Sequence, residues 1–79
     1  MMKELVEIIA QHLVNDPDAV VITETEGETA SIIELRVAPE DLGRIIGKQG
    51  RTAKSIRTLV NAVASRQSRK IVLEIIEEK

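Results

Sequence analysis

From Lys3 to Val14 the chain places Leu5, Val6, Ile8, Ile9 and Leu13 on one face of a helix, with Lys3, Glu4, Glu7 and Gln11 around it. Asn15-Asp16-Pro17-Asp18 breaks that period and ends the predicted helix. Val20, Val21 and Ile22 open a β-prone run that stops at Thr25. After Glu26-Gly27-Glu28 a second run alternates, with Ile33, Leu35 and Val37 on one side and Ser31 or Ile32, Glu34 and Arg36 on the other. Two short strands around a glycine-containing turn predict a hairpin.

Past Val37 the period lengthens from two toward four. Ala38-Pro39-Glu40-Asp41 has the form of a helix start, with proline early and acids over the first turn, and Leu42, Ile45 and Ile46 supply the apolar face. Gly47 stops this helix. After Lys48-Gln49-Gly50 a longer one follows, with Ile56, Leu59, Val60 and Val63 expected in the core and Ala53 and Ala64 permitting close packing. Gln67-Ser68-Arg69 ends it, and Ile71, Leu73 and Ile75 alternate as a third strand whose other face, Val72 and Ile76, is also apolar. The order α-β-β-α-α-β, without repeat or linker, predicts a two-layer α+β domain in which three helices cover one face of a three-stranded sheet. The other face looks at solvent. A two-helix connection permits either sense for the third strand.

Composition narrows the class. A chain of 79 residues, 43% hydrophobic, is expected to be one small domain over residues 1–79. With no cysteine there is neither a disulfide framework nor a thiolate metal site. Glu4, Glu7, Gln11 and His12 interrupt the opening segment, which lacks the apolar block of a signal peptide or membrane span, so a cytoplasmic chain with no membrane partner is expected. His12, the one histidine, is expected at a helix surface or boundary, with no nucleophile beside it. The carboxylates are scattered, and no enzyme activity, metal or cofactor is expected. A nucleotide-hydrolysing P-loop is excluded: Gly43 to Gly47 is one residue short, and Gln49 stands where a hydroxyl must hold Mg²⁺.

The net charge of −2 conceals a division along the chain. Residues 1–43 carry two cations and ten acids, whereas residues 44–70 carry eight cations and no acid. A polyanion senses the local block, because screening limits its view to about 8–10 Å. Within that block Gly47 and Gly50 bracket two residues between the end of one helix and the start of the next. Glycine there permits positive φ and lets a ligand's backbone approach the main chain. The helix that follows offers free N–H groups to a phosphate, and Lys48 and Arg51 add charge at the rim.

Ile46-Gly47-Lys48-Gln49-Gly50, preceded by Leu42-Gly43-Arg44-Ile45 and set between two helices, resembles the I-G-x-x-G signature of a KH domain, and the element order resembles the bacterial, type II arrangement. Across essentially the whole chain the match is to small stand-alone bacterial KH proteins of the KhpA family. The resemblance implies binding of single-stranded RNA or DNA, with the loop clamping the backbone of about four nucleotides. It places phosphates against Gly47 and Gly50, turns Lys48 and Gln49 outward to meet them, and makes Ile45 or Ile46 an apolar floor for bases. Arg44, Arg51 and Lys54 would extend the electrostatic contact. Arg57 lies where the helix turns away, and Arg66, Arg69 and Lys70 are expected to be solvated surface.

The hairpin acids Glu24, Glu26 and Glu28 would correspond to the variable loop that borders the groove. Having no Phe, Tyr or Trp, the chain lacks the stacking platform worth about 1–3 kcal/mol per base, and weak, tolerant binding is expected. Joined sites would compensate. The resemblance accordingly implies a homodimer, a heterodimer with a larger KH-containing protein of the KhpB (Jag) type, or both, with Val60, Val63 and the outer face of the last strand as interface candidates. It further implies a post-transcriptional regulator or RNA chaperone with a bearing on cell shape. The competing expectation is a protein-interaction scaffold for which RNA is secondary.

Overall fold

In the computed structural model, which describes residues 2–77, α1 spans Met2–Leu13 and packs Met2, Val6 and Ala10 into the core at four-residue spacing. Leu5, Ile9 and Leu13 flank that line and are partly buried. Ile8, expected on the same face, is 53% exposed. It lies two residues from Val6, about 200° around the helix, where no element covers it.

After a 3-10 turn at Pro17–Ala19, β1 (Val21–Glu26) and β2 (Ala30–Arg36) form the hairpin, antiparallel with Val21 opposite Arg36 and Thr25 opposite Ile32. The chain then passes a 3-10 turn at Pro39–Asp41, α2 (Leu42–Ile46), a further 3-10 turn at Lys48–Gly50, α3 (Arg51–Arg66) and β3 (Lys70–Ile75). The sheet order is β1-β2-β3, with β3 parallel to β2 and Ile33 opposite Leu73. The two-helix crossover carries the chain back to the end at which β2 began, which settles the sense of the third strand.

Side chains at alternate sheet positions, Ile22, Ser31, Ile33, Leu35, Ile71 and Leu73, point beneath the helices. Val21, Ile32 and Val72 lie on the open face and are exposed. Ser31, expected opposite Ile33, shares its parity and is buried. Its hydroxyl oxygen accepts from Arg69 Nη2 at 2.8 Å, and the same nitrogen donates to the Gly27 carbonyl at 3.2 Å. Arg69 is therefore no solvated cation: it ties the hairpin turn to the corner between α3 and β3. That corner places Ser68 at φ 56°, with the Arg69 N–H returned to the Ala64 carbonyl at 3.1 Å. This is a left-handed helix stop built without glycine.

From α3, Ala53, Ile56, Val60 and Ala64 enter the core, together with Ile45 of α2. Leu59 and Val63, expected there, are 55% and 36% exposed. They lie on the flank of α3 that neither the sheet nor α1 covers. Asp41 is buried and accepts the Asp16 N–H at 3.0 Å, pinning the connection after α1 to the start of α2. Among the described residues no helix is long and apolar enough to cross a membrane.

Candidate functional site

The short α2 closes on the Gly47 N–H, which donates to the Gly43 carbonyl at 2.8 Å. Gly47 then takes φ 77° and ψ 174°, a backbone state that side chains rarely adopt. Space reinforces the choice. A Cβ at Gly47 would collide with the Thr52 side chain and come within 2.8 Å of the Thr52 nitrogen. Gln49 (φ 58°) and Gly50 (φ 76°) are also left-handed, but a Cβ on Gly50 would meet nothing within 4 Å. Steric exclusion therefore makes Gly47 obligatory, whereas Gly50 answers only to its dihedral angle.

This backbone path governs where the donors point. The Gly50 N–H donates to the Gly47 carbonyl at 3.1 Å and the Arg51 N–H to the Lys48 carbonyl, which closes the loop onto α3. Among the described residues no backbone carbonyl accepts from the N–H of Lys48 or Gln49. Both of these residues are exposed, as are Arg51 and Lys54 on the first turn of α3. Arg44 is exposed as well, although its Nε lies 3.5 Å from the buried Asp41 carboxylate, which holds it beside the loop.

The structure thus gathers Arg44, Gly47, Lys48, Gln49, Gly50, Arg51 and Lys54 at the N-terminal end of α3. Of the two proposed floor residues, Ile45 is fully buried beneath α2 and cannot meet a base, whereas Ile46 retains partial exposure. Lys54, Arg57 and Asn61 follow one another at i, i+3 and i+7 along α3, and Arg57 and Asn61 lie on the side that borders β3. Arg57, six residues and about 9 Å along from Arg51, does turn from the loop: its Nε–H donates to the Leu73 carbonyl at 3.3 Å.

A groove of about 270 Å³ opens there between α3 and the edge strand, lined by Arg57, Val60, Asn61, Lys70, Ile71, Val72 and Leu73. Sequence reasoning missed Asn61 and Lys70 as members of such a groove. The polar stripe through Lys54, Arg57 and Asn61 was the available signal, but only the sheet order reveals that β3 is an edge. The acidic hairpin turn lies at the far end of this groove, where the Lys70 N–H meets the Thr29 carbonyl at 3.3 Å, about the 24 Å length of a 16-residue helix away from Gly47–Gly50. No group of three or more His, Asp or Glu side chains that could hold a metal ion occurs among the described residues. His12 is exposed, its Nδ1 2.8 Å from the Ile8 carbonyl.

Comparison with known proteins adds an independent finding. The family profile described as "KhpA/KhpB, KH domain" matches residues 3–75. A Clostridium perfringens protein named RNA-binding protein KhpA is 57% identical over 75 residues, which are 95% of this chain and all of the relative. A protein of the same name from Chlamydia trachomatis is 50% identical over 78 residues, 99% of this chain and all of the relative. Among solved structures, Era in complex with MgGDPNP and a 16S ribosomal RNA segment superposes with a TM-score of 0.61 at 24% identity, over 98% of this chain and 31% of Era. That likeness concerns the fold alone.

Proposed function

The chain belongs to the KhpA/KhpB KH-domain family, and from that premise we propose that it binds single-stranded RNA, or single-stranded DNA, as one KH domain, with Gly47–Gly50 against the phosphate backbone. The observation that carries this reading is the obligatory left-handed Gly47, followed by Lys48 and Gln49 whose N–H groups have no backbone acceptor among the described residues, beside the exposed Arg44, Arg51 and Lys54. Backbone donors and cations converging on one exposed turn suit a phosphate, and the absence of aromatic side chains suits tolerant recognition of bases. Ile46 contributes the apolar contact beside the loop. The activity is binding without catalysis, in the cytoplasm, serving post-transcriptional regulation or RNA chaperoning that bears on cell shape.

A second copy, or a larger KH-containing protein of the KhpB (Jag) type, joins a further site to this one and raises its avidity. Support for a protein partner comes from Leu59 and Val63 on the uncovered flank of α3 and Val72 on the open sheet face, all exposed. Val60 is excluded from such an interface, because it is 1% exposed in the core.

Titrating a labelled single-stranded RNA pool with wild type and with Lys48→Asp/Gln49→Asp, at two salt concentrations, tests the clamp. Salt-weakened binding by wild type and none by the folded variant is expected. Equal binding by both contradicts the assignment. A variant that keeps RNA binding but loses its protein partner makes partner docking the primary role.

A further inference from the structure

Asp41 stands at the N-cap of α2, where an aspartate commonly accepts the first free N–H groups of its helix, yet its side chain caps nothing there. The carboxylate is buried and divided between two other elements. Oδ2 accepts the Asp16 N–H from the connection after α1 at 3.0 Å, and Oδ1 lies 3.5 Å from Arg44 Nε on α2. Among the described residues the Nη groups of Arg44 have no partner. Arg69, which meets the other buried polar side chain, Ser31, gives its Nη2 to the interior of the fold. Arg44 keeps its end free.

The Asp16 N–H does not by itself account for a carboxylate. An amide oxygen at position 41 would accept it equally well, and a buried negative charge is costly unless a cation meets it. The group that calls for the charge is Arg44. An arginine loose on a helix surface must be ordered when it meets a phosphate, whereas one tethered at Nε has lost much of that freedom on folding. The tether does not bury it: the Arg44 side chain is 54% exposed. Its planar fork of donors suits phosphate oxygens better than a point charge would.

Resting on the RNA-binding reading above, we infer that Asp41 is a positioning residue of the phosphate clamp: buried between the connection after α1 and the start of α2, it pre-orients Arg44 as the phosphate contact on the α2 side of Gly47–Gly50. Lys48, Arg51 and Lys54 supply exposed charge on the loop and the α3 side. One arm of the clamp is thus set by the fold before RNA arrives.

The test measures the affinity of a labelled single-stranded RNA pool by fluorescence anisotropy for wild type, Asp41→Asn, Arg44→Ala and the double variant Asp41→Asn/Arg44→Ala, with a urea melt of each. Arg44→Ala should weaken binding about 5-fold at about 0.1 M salt, the share of one single-strand phosphate contact reckoned from 1 M. Asp41→Asn keeps an acceptor for the Asp16 N–H and should weaken binding about 3-fold, and in its presence Arg44→Ala should cost less than about 2-fold more. An Asp41 that serves the fold alone would lower the melting midpoint and leave the two losses additive. Arg44→Lys changes only an exposed side chain, keeps its charge and loses the fork; it should melt as wild type does and bind at least about 2-fold more weakly, which decides the matter even where Asp41→Asn fails to fold. Wild-type affinity in Arg44→Lys or in folded Asp41→Asn, or additive losses in the double variant, overturns the inference while leaving the clamp intact. Tighter binding by Asp41→Asn also overturns it, since Asp41 would then mask Arg44. No RNA binding by wild type overturns the clamp and this inference together.

Discussion

The two ends of α3 are built from similar parts and used differently. At its N-terminal end Gly47, Gln49 and Gly50 take positive φ among Lys48, Arg51 and Lys54; at its C-terminal end Ser68 takes positive φ beside Arg69. The C-terminal corner consumes its donors. Ser68 and Arg69 return their N–H groups to helix carbonyls, and the Arg69 guanidinium serves Gly27 and Ser31. The N-terminal turn leaves the N–H groups of Lys48 and Gln49 without a backbone acceptor among the described residues, and Lys48, Arg51 and Lys54 exposed around them. Cations beside a turn thus indicate a ligand site only when the fold has not already used their donors.

The largest effect expected from breaking this comparison falls on Gly47. Gly47→Ala sets a Cβ against Thr52 and an unfavourable φ together, and should lower stability by about 2–4 kcal/mol in urea melts and abolish RNA binding. Gly50→Ala meets no neighbour and should cost about 1 kcal/mol, the left-handed backbone penalty alone. Equal losses at the two glycines would contradict the steric account.

At the other end, Arg69→Met strands the buried Ser31 hydroxyl and should cost about 1–3 kcal/mol while leaving RNA affinity within about twofold. Lys48→Ala is the mirror case, with stability within about 0.5 kcal/mol of wild type and weakened RNA binding. The last change is a gain: Ser68→Gly relieves a positive φ and should stabilise by about 0.5–1 kcal/mol, read as a raised Tm, with RNA binding unaltered.

Much of this was legible in the sequence, and the failures have a common cause. Alternation at Ile33 and Leu35 and the four-residue spacing around Ile56 and Val60 describe a segment's own face, and those residues are in the core. Whether an outside element covers a face is not a local property. Ile8, Leu59 and Val63 were misplaced for that reason.

The turn at Gly47–Gly50 and the exposed cations around it were legible because their signal is continuous, with glycines, cations and helix start within a few residues. Asp41 and Arg69 looked like ordinary surface charges because their partners, Asp16 and Ser31, are 25 and 38 residues away in sequence. The groove beside Arg57 needed the strand order, and the order needed the parallel pairing of β2 with β3. The family resemblance reached the fold through its motif without supplying either contact.

The central claim is that phosphate is met at one end of α3 and not along the whole basic block. The most direct test is the salt dependence of single-stranded RNA affinity for wild type, Lys48→Ala and Arg66→Ala, the last removing an exposed cation from the last turn of the same helix. Each phosphate contact to a single strand contributes about 0.7 to the slope of log affinity against log salt. Lys48→Ala should flatten the slope by about that amount, and Arg66→Ala should leave it unchanged. Equal flattening by both would mean that RNA follows the diffuse charge of the helix, and the clamp at Gly47–Gly50 would be wrong.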